Sequence, residues 1–307
     1  MRKLPAVLTA AGLVALTLTG CSATGAPSCE RDVSAERLAS LVDVSGAVGE
    51  QPDVTIPTPF HASGAEVSDV AVGDGTTIVS DWQDLVMGIT VVDGDSGEVL
   101  IQQGYQGLDS VTTVSTWTGA IPALEDALHC ATQGSRILVG LDADELGDAG
   151  VALGVSDGAS ALFVIDLRKV YLAAADGADQ YNAGFGLPAV VRAPDGQPGV
   201  VIPDVPAPTE PVVEVLKRGE GAVTTDADSI RINYTSVSWQ TREIGGTSWG
   251  SAPYQYDLSA FTDPLTKALI GQPVGSQLLV VLPPAEGQDA DTQVFVIDIL
   301  GIDGQEG

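Results

Sequence analysis

The chain has 307 residues and carries 13 Lys and Arg against 41 Asp and Glu, a formal net charge of −28. A surface this acidic repels nucleic acid and anionic lipid, which excludes a nucleic-acid-binding role. With 44% apolar residues and no dominant block of like charge, the chain is a folded protein and not an acidic disordered tail.

Residues 1–20 read as an export signal: Arg2 and Lys3 form a positive start, and an apolar stretch runs from Leu4 to Leu18. Leu18-Thr19-Gly20-Cys21 then resembles a bacterial lipobox, which implies acylation of Cys21 and a lipid-anchored protein on the extracytoplasmic face of the cell membrane. Plain signal cleavage and a membrane anchor helix are the alternatives, the second disfavoured by the shortness of the apolar run. Removing Arg2 and Lys3 leaves 11 basic residues against 41 acidic, a charge of −30. An N-terminal arm is expected over 21–47. Of the remaining cysteines, Cys29 and Cys130 form an isolated pair, most simply a disulfide in an oxidising compartment, with two buried thiols as the alternative. Closing so long a loop, roughly 100 residues, contributes about 4–5 kcal/mol in the chain-entropy account. No metal or other cofactor is expected, because only His61 and His129 accompany them and no Cys-x-x-Cys occurs.

The rest of the chain is written twice. GEQPDVTIPTPFHASGAEVSDVAVGDG at 49–75 lies over DGQPGVVIPDVPAPTEPVVEVLKRGEG at 195–221, ALHCATQGSRILVGLDA at 127–143 over ALIGQPVGSQLLVVLPP at 268–284, and FVIDL at 163–167 over FVIDI at 295–299. Three blocks in one order, at offsets drifting from 146 to 141 to 132, indicate a duplicated domain with loop insertions. The expected division is a first copy at 48–172, a linker at 173–194 rich in Ala, Gly and Asp, and a second copy at 195–307.

In the second copy, DSIRINYTSVSW (228–239) alternates as a strand, with Ile230, Ile232 and Tyr234 on one face. DPLTKALIG (263–271) is the clear helix, with Asp263 as N-cap, Pro264 opening it and Gly271 stopping it. QLLVVL (277–282) and TQVFVIDIL (292–300) are apolar runs of strand length. The fold class is α+β: two domains, each an antiparallel half-barrel sheet around one short helix.

The ordered set NYT, TSW, PYQYDL, ALIGQPVGS, LPP and VFVIDIL resembles the FKBP-type peptidyl-prolyl cis-trans isomerases over about 195–303. The first copy looks like a degenerate version of the same domain, and the layout is similar to tandem FKBP lipoproteins of actinobacterial type. The resemblance implies isomerisation of X-Pro bonds in exported polypeptides, with macrolides as possible ligands. It places Tyr234, Tyr254, Tyr256 and Phe295 around the pocket and Leu265 at the pocket floor, where the family often has tryptophan. Plain core packing is the alternative for each. Two departures stand out. The family's Phe-Asp has no counterpart near Ile244–Gly246, and Ala285-Glu286-Gly287 follows the paired prolines where the family has a tyrosine, a Gly and a long flap. In the first copy Ile89 takes the Tyr234 place and a long loop, 142–160, replaces the flap, so that copy reads as non-catalytic. An FKBP-like binding or chaperone lipoprotein without turnover is the second functional reading, and a purely structural domain the third.

Other motifs carry less. Gly246-Thr247-Ser248-Trp249-Gly250 and Gly154-Val155-Ser156-Asp157-Gly158 fit the Gly-x-Ser-x-Gly pattern, but both histidines precede both serines. Asp93-Gly94-Asp95 and Asp142-Ala143-Asp144-Glu145 lack the twelfth-position Glu of a calcium loop.

Overall fold

A computed structural model describes residues 29, 31, 33, 36–181, 184–285, 288 and 290–305. The chain divides into two units, Met1–Glu30 and Arg31–Gly307. Of the first unit Cys29 is described, so the expected signal of residues 1–20 and the expected lipidation at Cys21 lie outside the described residues. Among the described residues no helix is long and apolar enough to cross a membrane. Cys29 and Cys130 are disulfide-bonded.

The second unit begins with α1 (Glu36–Leu41) and a hairpin of β1 (Asp43–Ser45) and β2 (Asp53–Thr55), then β3 (Ala65–Ala71), β4 (Asp84–Asp93), β5 (Val99–Gln103) and β6 (Thr112–Thr113). Helix α2 (Val114–Ala120), a 3-10 turn at Pro122–Leu124 and α3 (Glu125–Leu128) precede β7 (Arg136–Leu141), α4 (Ala143–Leu153) and β8 (Ala161–Val170). The segment read as a linker contains β9 (Ala178–Asp179) and β10 (Ala189–Arg192), the latter paired with β11 (Pro198–Val201). There follow β12 (Val212–Arg218), β13 (Ser229–Ser238), β14 (Ile244–Thr247), β15 (Tyr254–Asp257), α5 (Pro264–Leu269), β16 (Gln277–Leu282) and β17 (Gln293–Ile302).

The two sheets have one topology. The first runs β3-β7-β8-β4-β5 with β6 also on β4. The second runs β12-β16-β17-β13-β14 with β15 also on β13, and β9 added beyond β12. Every pairing is antiparallel. Register follows the repeat: Ile89 faces Ile165 on β8 as Tyr234 faces Ile297 on β17.

Both faces of each sheet are covered, which is why the central strands read as continuous apolar runs. On the first sheet Leu128, Val139, Phe163 and Ile165 pack beneath the helices. Its other face carries Leu138, Leu162 and Val164 against Leu38, Ile56 and Phe60 from the segment before β3. On the second sheet Ile230, Ile232, Leu269, Val280 and Ile297 form the inner core, while Leu279, Val281, Val294 and Val296 meet Ile202, Trp239 and the β10–β11 hairpin. The repeated glycines have a packing cause. A Cβ on Gly73 would lie 1.9 Å from the Gln133 carbonyl oxygen, and one on Gly219 would lie 2.0 Å from that of Val274. Their amides donate to Ser135 Oγ and Ser276 Oγ, both at 3.0 Å, so Gly-Ser before each central strand recurs for the same reason.

The aspartate repeated in FVID is also structural. Asp166 accepts from Arg136 Nε and Nη2, both at 2.6 Å, and from the Gly49 amide at 2.7 Å. At the equivalent place Asp298 accepts from Gln277 Nε2 at 2.7 Å and the Ala175 amide at 2.8 Å.

Residues 142–160, read as a loop, carry the 11-residue helix α4. The Asp142 carboxylate caps it by accepting from the Asp144 and Glu145 amides, and Gly154 ends it at φ 83°. The glycines and aspartates that suggest a loop are therefore its caps and its kink at Gly147.

Candidate functional site

The inner face of the second sheet gathers all five residues singled out from sequence. Tyr234, Tyr256, Leu265 and Phe295 are partly buried against one core cluster. Tyr254 joins them edge-to-face on Tyr234, with centroids 6.1 Å apart and planes at 82°. The strands dictate this: β13 presents Ile230, Ile232 and Tyr234 inward, and β15 pairs Tyr256 with Ile230 and Tyr254 with Ile232. Phe295 lies between Ser236 on β13 and Val280 on β16. Leu265 arrives with the first turn of α5, which Asp263 caps by accepting from the Thr266 amide at 3.0 Å.

The same cap sets the Tyr256 ring, because Thr266 Oγ1 hydrogen-bonds the Tyr256 hydroxyl at 2.9 Å. Burial raises the pKa of that phenol, and the Thr266 contact opposes the rise. Sequence reasoning missed Phe261, whose ring sits 5.8 Å from that of Tyr256 and extends the aromatic row. Phe261 and Tyr254 are each 52% exposed, so the row is the rim of an open cup.

The TSW motif holds Tyr234 from behind. Ser248 Oγ accepts from the Tyr234 amide and donates to Asn233 Oδ1, both at 3.0 Å, while the Ser248 amide donates to the Tyr234 carbonyl at 3.0 Å. A buried serine so engaged is no nucleophile, which removes the hydrolase reading of 246–250. The Tyr234 side chain ends beside Gly246, on which a Cβ would stand 3.5 Å from the hydroxyl oxygen. No hydrogen bond to that hydroxyl occurs among the described residues. No carboxylate stands at Gly246 beside this hydroxyl.

In the first copy Thr112 stands at the Tyr256 place, paired to Leu85 as Tyr256 is to Ile230. Trp117 of α2 and Leu146, Ala149 and Leu153 of α4 pack on the core there. Its inner face is closed by its own chain. The Asp93 turn is not built for a metal: Oδ1 accepts from the Asp95 and Ser96 amides and Ser96 Oγ, and Oδ2 from the Ser156 amide. Burial opposes the charged form of Asp93, but donors from Ser156 and Ser96 prevail and hold its pKa at about 2. A cavity of about 560 Å3 lies away from the cup, between the copies, bordered by Lys169, Tyr171, Glu220, Val274 and Ile302. It brings together no aromatic row of the kind that could seat a prolyl ring.

No protein-family model matches the chain. A protein of Corynebacterium glutamicum named a probable FK506-binding protein is 26% identical over 114 residues, covering 34% of this chain and 97% of that protein. Among solved structures, the three FKBP domains of wheat FKBP73 align with 78% of this chain and 94% of theirs, at 14% identity and a TM-score of 0.32. An FKBP12-type peptidyl-prolyl isomerase structure from Mycobacterium tuberculosis covers 36% of this chain and 92% of its own, at 23% identity and a TM-score of 0.26. Over about a third of its length the chain is thus similar to a probable FK506-binding protein, and its own half-barrel sheet topology occurs twice.

Proposed function

We propose that the protein is a peptidyl-prolyl cis-trans isomerase of exported polypeptides, lipid-anchored through Cys21, with its second copy as the working domain. The aromatic row Tyr234–Tyr254–Tyr256–Phe261 over Leu265 and Phe295 carries this reading. Rotation about an X-Pro amide faces a barrier of ~18–20 kcal/mol because the C–N bond is partly double. A prolyl ring held against apolar walls leaves its amide poorly solvated, which disfavours the polar planar form relative to the twisted transition state. Preferential binding of that transition state is the mechanism, and it needs no nucleophile. The Tyr234 and Tyr254 hydroxyls at the rim are available to the flanking carbonyls. Macrolides of the rapamycin type would compete for the same walls.

A second reading, binding without turnover, is favoured by Gly246, which leaves the Tyr234 hydroxyl without a carboxylate partner. NMR exchange spectroscopy on an X-Pro peptide separates the two. Isomerisation predicts faster cis/trans exchange with wild-type protein and loss of the effect in Tyr234→Ala. Peptide shifts on binding with an unchanged exchange rate would establish the second reading instead.

A further inference from the structure

Arg231 lies on β13 three residues before Tyr234, and a set of polar contacts between the copies converges on it. Its Nε and Nη2 donate to Asp303 Oδ1 and Oδ2 at 2.9 and 3.1 Å, and its Nη1 reaches Asp84 Oδ2 of the first copy at 3.4 Å. Asp303 also accepts from the hydroxyl of Tyr171, the residue that follows β8 of the first copy, at 2.8 Å. Lys169, at the end of β8, donates to the carbonyl of Ile302 at 2.5 Å and to that of Gln305. The first copy therefore grips the chain on both sides of Asp303.

Asp303 has one more partner. Gln255 Nε2 donates to Asp303 Oδ2 at 2.8 Å and to Ser229 Oγ at 3.1 Å. Gln255 is the register partner of Arg231 and lies between Tyr254 and Tyr256 on β15. That strand has four residues and pairs with β13 alone, so its backbone ladder is short. Side chains alternate along it: the two tyrosines face the cup while Gln255 faces the Asp303 cluster. The Arg231, Asp84 and Asp303 side chains are 15%, 3% and 13% exposed, so the contacts among them are largely removed from water and correspondingly directional, whereas the bonds of Gln255 lie at the exposed edge of the cluster.

We infer that Asp303 and Arg231 are positioning residues of the cup, and that the first copy, whose own inner face is closed, serves to hold them and through them the strand bearing Tyr254 and Tyr256. The catalytic consequence rests on the isomerase reading; the positioning itself does not. The test uses the full chain with Tyr171→Phe, Gln255→Ala and the double variant. Tyr171→Phe keeps the ring in place and removes only the hydroxyl that Asp303 accepts. Amide hydrogen exchange over Tyr254–Asp257 is compared with that over Gln277–Leu282. Each single variant is expected to speed exchange in β15 roughly three- to tenfold, as the net loss of one ordinary hydrogen bond implies, and to leave β16 unchanged. The double variant should be no faster than the worse single one, because both act through Asp303. In exchange spectroscopy KM for an X-Pro peptide should rise by a similar factor with kcat retained. The inference is overturned if β15 exchange is unchanged in Tyr171→Phe, if β15 and β16 accelerate together, or if the two substitutions add. Should the wild-type protein show no isomerisation, the functional reading falls while the exchange comparison still decides the positioning.

Discussion

Asp84 gives the interface between the copies a measurable pH signature. It opens β4, is 2% exposed, and has its carboxylate 3.4 Å from Arg231. Burial raises its pKa to about 7; Arg231 opposes the rise and Asp303 adds to it. An unfolded aspartate titrates near 3.9. The folded state therefore holds the proton more tightly than the unfolded one. The resulting stabilisation is complete below pH ~4 and is lost as pH rises through about 7. A difference of about three pK units corresponds to ~4 kcal/mol in all, of which ~2 kcal/mol is lost between pH 5.5 and 8. Asn has the same shape and cannot ionise, so Asp84→Asn removes this loss. Urea unfolding of both proteins at pH 5.5 and pH 8 measures it, with other titrating groups cancelling in the difference. The variant should gain ~2 kcal/mol on the wild type over that interval. Parallel pH curves, or a wild type that gains on the variant, would refute the argument that desolvation outweighs Arg231 at this site.

Gly246→Asp should restore a hydrogen-bond partner to Tyr234, since the new Cβ would stand 3.5 Å from the hydroxyl. The expected gain is roughly three- to tenfold in kcat/KM by NMR exchange, the scale of one ordinary net hydrogen bond. Asp166→Ala should cost ~3–5 kcal/mol in denaturant unfolding, because it leaves the guanidinium of Arg136, 2% exposed, without its carboxylate. A loss comparable to a surface pair would show that the backbone carbonyls of Gly46 and Ala47 suffice for Arg136. Tyr256→Phe removes the bond to Thr266 and should lower stability by ~1 kcal/mol while leaving the ring in the row. Unchanged unfolding would mean that the helix cap does not set this ring.

How far the sequence carried the fold depended on repetition. Offsets of 146, 141 and 132 brought the strands of both copies into register, and the Ile89–Tyr234 correspondence they implied is the one the ladders display. The hairpins β1–β2 and β10–β11 escaped notice because strands of three or four residues are too short to show alternation. The same offset of 146 nevertheless lays Asp43–Ser45 over Ala189–Val191, so the repeat extends further than its identical residues. Helix α4 was hidden by glycines and aspartates that read as loop, although Leu146, Ala149 and Leu153 recur at helical spacing on its inner side. Tyr234, Tyr254, Tyr256 and Phe295 stood out because each belongs to an ordered motif, and Leu265 because it opens the capped helix; the structure gathers these five on one face. Phe261 was not, lying between motifs with no periodic partner. Arg231 and Asp303 did not stand out, since nothing local reveals that a second copy of the fold covers that face.

The central claim is that one copy works and the other supports it. Cis/trans exchange of an X-Pro peptide, followed by NMR with the full chain at near-stoichiometric concentration, tests this most directly when Phe261→Ala and Tyr254→Ala in the second copy are set beside Ile89→Ala in the first. Wild-type protein should accelerate exchange, both second-copy variants should lose most of the acceleration, and Ile89→Ala should keep it. Acceleration that survives the loss of the second-copy aromatics, or that disappears with Ile89, would contradict the assignment.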